Sequence, residues 1–151
     1  MTALSRFAAG LADRDALRQA VAGCDAVIHL AALVSVPLSI NEPLRTFELN
    51  TLGSARVLDA AREAGCMRVV LASTASVYGD LPGIKTEGSP VAPIVPYATS
   101  KLLAEGICQS YAQNYAMSCV QLRYFNVYGV RQLAGSPYSG ARSFWNNSAS
   151  P

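Results

Sequence analysis

Short, nearly all-apolar runs alternate with stretches of helical periodicity along this chain, and that alternation restricts the fold more than any other feature. Residues 25–32, DAVIHLAA, and 68–72, RVVLA, are almost wholly apolar. Such runs suit strands covered on both faces, as in a parallel sheet. Residues 118–124, SCVQLRY, read as a third strand. Helical patterns lie around them. Residues 13–22 place Leu17 and Val21 four apart and stop at Gly23. Asn41 ahead of Pro43 is a helix-start signal, and 42–64 then carries Leu44, Phe47, Leu58 and Ala61 at helical spacing before Gly65. A further helix is expected over about 97–115, with Leu103, Ile107, Tyr111 and Tyr115 as its core stripe. Residues 79–96, rich in Gly and Pro, form a long loop of the kind that usually carries function. The resulting order, α-β-α-β-loop-α-β, predicts βαβ crossovers and a parallel sheet with helices on both faces.

Composition narrows the function classes. The 151 residues are 51% hydrophobic and 15% charged, which is one core-forming domain and excludes a disordered chain. A net charge of +2 leaves no footprint for nucleic acid or an anionic membrane. No apolar run reaches membrane-spanning length and no secretory signal opens the chain, so a cytoplasmic protein is expected. Cys24, Cys66, Cys108 and Cys119 lack CxxC spacing and read as buried free thiols. His29 is the single histidine, so no metal site is expected. Neither GxGxxG nor GxxxxGK[ST] occurs, and the first element is a helix where a doubly wound sheet normally begins with a strand. The chain therefore reads as the middle of a larger fold. Residues 135–151 carry no periodicity and read as an irregular tail.

The chemistry gathers around Tyr97-Ala-Thr-Ser-Lys101. A phenol and an ammonium four residues apart share one helix face. Tyrosine, with an ordinary pKa near ~10, is a poor base at neutral pH. A positive charge beside it favours the phenolate, which makes the pair a workable general acid–base unit. The alternative is a surface lysine beside a half-buried tyrosine. Thr74, with Ser73 and Ser76, follows a buried strand, at the strand end where ligands bind in parallel sheets. Its hydroxyl can bind a substrate oxygen or simply cap the strand end. Asn50 sits mid-helix, a poor place for asparagine. It reaches the strand-end crevice or is solvated. Residues 122–129, LRYFNVYG, place aromatics and Asn126 just past the third strand.

Taken in order, HLAA (29–32), NTLG (50–53), STASVYGD (73–80), PYATSK (96–101) and LRYFNVYG (122–129) resemble the extended short-chain dehydrogenase/reductases, the NAD-dependent epimerase/dehydratase family. The likeness covers about residues 10 to 140 and is nearest to the 4-epimerases of UDP-glucose and UDP-N-acetylglucosamine. It implies a Rossmann-like, doubly wound α/β fold truncated at both ends. Residues 1–134 would be a partial NAD-binding domain lacking the first Gly-rich βαβ unit, and the substrate domain would be missing. By the same resemblance, Tyr97 is the catalytic base, Lys101 binds the nicotinamide ribose and lowers the tyrosine pKa, and Thr74 holds the sugar hydroxyl. Ala31, Ala32, Asn50 and Tyr124 line the NAD site together with Tyr97 and Lys101, and Asn126 contacts the nucleotide diphosphate. Tyr97 would take the proton from the sugar O4 while hydride passes from C4 to NAD. The ketone would then take the hydride back on its other face. The partners implied are a UDP-sugar substrate and, in the full-length form, a second copy of the chain.

Thr74-Ala75-Ser76 discriminates within the family. The sugar 4,6-dehydratases carry two carboxylates after the threonine, and this chain carries none there, so epimerase ranks above dehydratase or reductase. The family's Gly-rich turn, its acidic ribose reader and its Gly-Asp near Gly10–Asp13 have no clear counterpart, and Val34 stands where many members have lysine. The chain alone is therefore expected to be inactive. The rival reading is a non-catalytic remnant that kept the middle of the fold.

Overall fold

The computed structural model describes residues 10–127. Helix α1 (Arg14–Val21) starts where Asp13 Oδ1 accepts from the Ala16 amide at 3.0 Å. Strand β1 (Val27–His29) is followed by an extended segment and by α2 (Val36–Asn41), capped by Ser35 with Pro37 in its first turn. Helix α3 (Pro43–Phe47), one π-helical turn (Glu48–Leu52) and α4 (Gly53–Glu63) then run on without a break. Strand β2 (Arg68–Thr74) ends in a 3₁₀ turn (Ala75–Tyr78). After the loop, α5 (Pro96–Tyr115) leads through Ala116, in left-handed conformation, to β3 (Ser118–Tyr124).

The three strands form one parallel sheet in the order β1-β2-β3. The register pairs His29 with Leu71 and Thr74 with Tyr124, so the C-terminal ends of β2 and β3 lie side by side. The core packs Leu58 and Ala61 of α4 and Ala104 and Cys108 of α5 against Val69 and Leu71 of β2. Gly79 closes the turn after β2 at φ 59°, and a Cβ there would meet the Ala92 carbonyl oxygen at 2.1 Å. The loop is thereby held against its own base, with the Ala92 amide donating to the Val77 carbonyl at 2.9 Å.

Several expectations are corrected. The run 25–32 is strand only over Val27–His29. The helix expected over 42–64 is two α segments joined by a π turn, with α2 ahead of it, and Leu44 is 78% exposed. The expected stripe on α5 is rotated. Leu103 and Tyr115 are exposed, and Ala98, Lys101, Ala104, Glu105 and Cys108 form the buried face, with Ile107 and Tyr111 at its margin. Small alanines bring that face close to the strands, and strand side chains receive the Glu105 carboxylate. Cys24 is exposed, whereas Cys66 and Cys108 are buried.

Helices on both faces are not found among the described residues. Helices α4 and α5 cover the face that carries Val69 and Leu71, while Ile28, Val120 and Leu122 on the other face are exposed. Two successive right-handed crossovers that step the same way along a sheet put their helices on the same side. The β1-β2-β3 order has this property.

Candidate functional site

Pro96 at the first position of α5 has its φ pre-set for a helix and lacks the amide that would go unused there. Tyr97 therefore falls in the first turn and Lys101 one turn later. Tyr97 is half-buried. Lys101 is only 2% exposed. Burial pushes its ammonium pKa below the ordinary lysine value, and the nearby Cys108 and Glu105 oppose that shift. On β1, burial and then the charge of Lys101 hold the His29 imidazole down at a pKa of about 4. The ammonium is thus felt at the C-terminal end of β1, and His29 is neutral at physiological pH.

Thr74 closes β2 and is 9% exposed. Its hydroxyl accepts from the Ser76 amide at 3.2 Å and contacts the Ser76 hydroxyl at the same distance, so the capping alternative is realised. Ala31 is exposed and Ala32 half-buried, just past β1. Tyr124 is 42% exposed at the end of β3, and Asn126 is exposed beyond it.

Asn50 is fully buried in the π turn. Its amide nitrogen donates to the Leu33 carbonyl and to the Ser100 hydroxyl, both at 3.0 Å, while its oxygen accepts from the Leu33 amide at 2.8 Å. The alternative of a solvated asparagine is excluded. The side chain reaches the segment after β1 and clamps it to α5. Ser100, in the turn between Tyr97 and Lys101, donates onward to the Tyr97 carbonyl at 2.7 Å. Ser54 donates to the Asn50 carbonyl at 2.5 Å and meets His29 Nε2 at 3.1 Å. Because the serine proton is spent on Asn50, His29 supplies the hydrogen in that contact.

A second buried cluster escaped the sequence reading. Glu105, one turn past Lys101, is 3% exposed. Its carboxylate accepts a forked pair of bonds from Arg123 of β3, the shortest 2.7 Å, and a further bond from the Ser73 hydroxyl of β2. The Arg123 guanidinium lies 5.0 Å from the centre of the Tyr78 ring. The available signal was an acid four residues after a lysine on one helix face. The partners, 18 and 32 residues from Glu105, left no local trace.

The profile of the NAD dependent epimerase/dehydratase family matches residues 2–147. A UDP-glucose 4-epimerase from Streptococcus mutans is 43% identical over 110 residues, covering 71% of this chain and 32% of its own length. The chain thus spans about a third of the length of the curated relatives it matches. A Thermus thermophilus UDP-glucose 4-epimerase in complex with NAD superposes with a TM-score of 0.81 at 35% identity, over 90% of this chain and 45% of that one. A UDP-N-acetylglucosamine 4-epimerase from Methanobrevibacter ruminantium, in complex with UDP-N-acetylmuramic acid, gives 0.80 at 38% identity, over 86% and 42%.

Proposed function

Because this chain belongs to the NAD dependent epimerase/dehydratase family, we propose that it carries the acid–base machinery of a nucleotide-sugar 4-epimerase acting on a UDP-hexose or UDP-N-acetylhexosamine. The observation that carries this reading is the burial of Lys101 one turn from Tyr97. A surface coincidence would leave the ammonium in water, since lysine is almost never fully buried without a task or a partner. The charge of Lys101 acts on His29 at the C-terminal end of β1, and a parallel sheet receives its ligands at such strand ends.

Tyr97 takes the proton from the sugar hydroxyl and returns it. Lys101 holds the phenolate form by its charge, and its cost of burial is offset when a ribose hydroxyl and the phenol oxygen share it. Thr74 presents a hydroxyl to the same sugar oxygen, at the expense of its cap on Ser76. Asn126, exposed past β3, contacts the diphosphate in this reading. The residues at these strand ends fit a dinucleotide. Ala31 and Ala32 leave room after β1, Lys101 offers a buried cation and Tyr124 a half-exposed ring. NAD, when bound, supplies a reversible hydride acceptor for the sugar carbon. Asn50 serves as a positioning residue for the segment that would face it. Ala75 and Ser76 supply neither of the carboxylates that elimination of water requires, which favours epimerisation over dehydration.

In the full-length protein, Tyr97→Phe is expected to lower turnover of UDP-glucose at C4 roughly 100- to 10,000-fold. Bound cofactor, followed by fluorescence, should stay nearly unchanged, while Lys101→Met should harm both. Near-normal turnover by Tyr97→Phe would assign the proton transfer to another residue.

A further inference from the structure

Side chains on a helix lean toward its N-terminus. Lys101 therefore leans over the turn of Tyr97, and Glu105 over the turn of Lys101. Both Lys101 and Glu105 are buried on the same face of α5. Left alone, the carboxylate would pair with the ammonium and cancel its field. The observed bonds go elsewhere. Arg123 holds Glu105 from β3 with its two-pronged guanidinium, Ser73 holds it from β2, and the ion pairs among the described residues do not include Lys101. Arg123 is itself braced over the Tyr78 ring.

We propose that Arg123 is a positioning residue for the acid–base pair: by claiming the Glu105 carboxylate, it keeps the Lys101 ammonium out of a direct ion pair and available to the Tyr97 phenol. The inference rests on the acid–base reading of Tyr97 and Lys101 given above. The loop after the 3₁₀ turn brings Lys85 and Glu87 to the cavity that Glu105 and Arg123 line. His29 faces the row of Lys101 and Glu105 from β1, Cys108 from α5 itself and Cys119 from β3, with Tyr78 in the 3₁₀ turn. The polar side chains that α2, α3, the π turn and α4 bury are Ser39, Thr46, Asn50 and Ser54, all uncharged. Glu105 is the one buried carboxylate among the described residues, and its charge already acts on Lys101, so its partner decides whether that carboxylate pairs with the ammonium directly.

The test reads the Tyr97 phenol directly, in the chain itself and without turnover. Tyrosine labelled with carbon-13 at the ring carbon bearing oxygen reports each phenol titration by NMR, and Tyr97→Phe identifies the Tyr97 signal. Arg123→Met is expected to raise the Tyr97 midpoint by about one pH unit, because a released carboxylate now neutralises the ammonium. Adding Glu105→Gln to Arg123→Met is expected to bring the midpoint back to the wild-type value. A role for Arg123 in packing alone would not be rescued by deleting its partner. An unmoved midpoint in Arg123→Met, or no return in the double variant, overturns the proposal. Should Arg123→Met fail to fold, Arg123→Lys with Ser73→Ala removes the forked bonds and the hydroxyl bond to Glu105 while leaving a cation on β3. The midpoint must then still rise, by less, and no rise overturns the proposal. Lys101→Met separates this inference from its premise. If that variant leaves the Tyr97 midpoint in place, the acid–base pairing itself fails. If it raises the midpoint while Arg123→Met does not, only the role of Arg123 fails.

Discussion

Two buried polar clusters tie α5 to its neighbours, one through Ser100 and one through Glu105, and they use opposite chemistry. The Ser100 cluster is uncharged. Asn50, Ser54 and neutral His29 exchange hydrogen bonds with one another and with backbone groups, so every bond there fixes chain geometry. The Glu105 cluster is an ion pair between α5 and β3 with a hydroxyl from β2. The uncharged cluster places the segment past β1 without adding a field near Lys101. The charged one places a field, and its carboxylate stays out of an ion pair with Lys101 while Arg123 holds it. A buried dipole left without its partner costs about 1–3 kcal/mol, whereas a buried charge without its counter-ion costs about 3–5 kcal/mol.

That contrast can be broken most severely at Arg123. Arg123→Met strands the Glu105 carboxylate and should destabilise the fold by about 4 kcal/mol in urea unfolding at pH 7. Glu105→Gln with Arg123→Met should recover most of this, because an ion pair removed whole costs far less than one cut in half. A double variant as unstable as the single one would mean that Arg123 matters for its packing on Tyr78 instead of for its charge.

Asn50→Ala should cost less, about 3 kcal/mol, by leaving the Leu33 amide and carbonyl without side-chain partners. The same loss should appear in low and high salt, since no charge is involved. A cost that falls as salt is added would show that the cluster is electrostatic after all.

His29 provides the smallest and most easily tuned effect. Its folded pKa of about 4 lies below the ordinary 6.5, so the unfolded chain takes up the proton first. The stability it contributes is complete above pH 6.5 and drains as pH falls toward 4. About 2 kcal/mol should be gone between pH 7 and pH 5, before most carboxylates titrate. His29→Gln should flatten unfolding free energy across that window. A wild-type profile already flat there would place the imidazole in water.

The sequence by itself determined the βαβ order, the third strand over 118–124 and the start of α5 near Tyr97, because these depend on local signals. Strand runs, proline at a helix start and glycine after a helix end act through sterics within a few residues. It also determined the motif order that identifies the family. Tertiary structure alone decided which face of α5 is buried. Periodicity made Leu103 and Tyr115 core residues, but the strands turned Lys101 and Glu105 inward, because β2 and β3 hold Ser73 and Arg123 to receive the carboxylate. Likewise the sequence marked Asn50 as out of place in a helix, while only the folded chain showed what it holds: Leu33, 17 residues earlier, and Ser100, 50 residues later. Hydrogen bonds and ion pairs across such separations depend on distances in space, and nothing in the local order of residues sets those distances until strands and helices have packed.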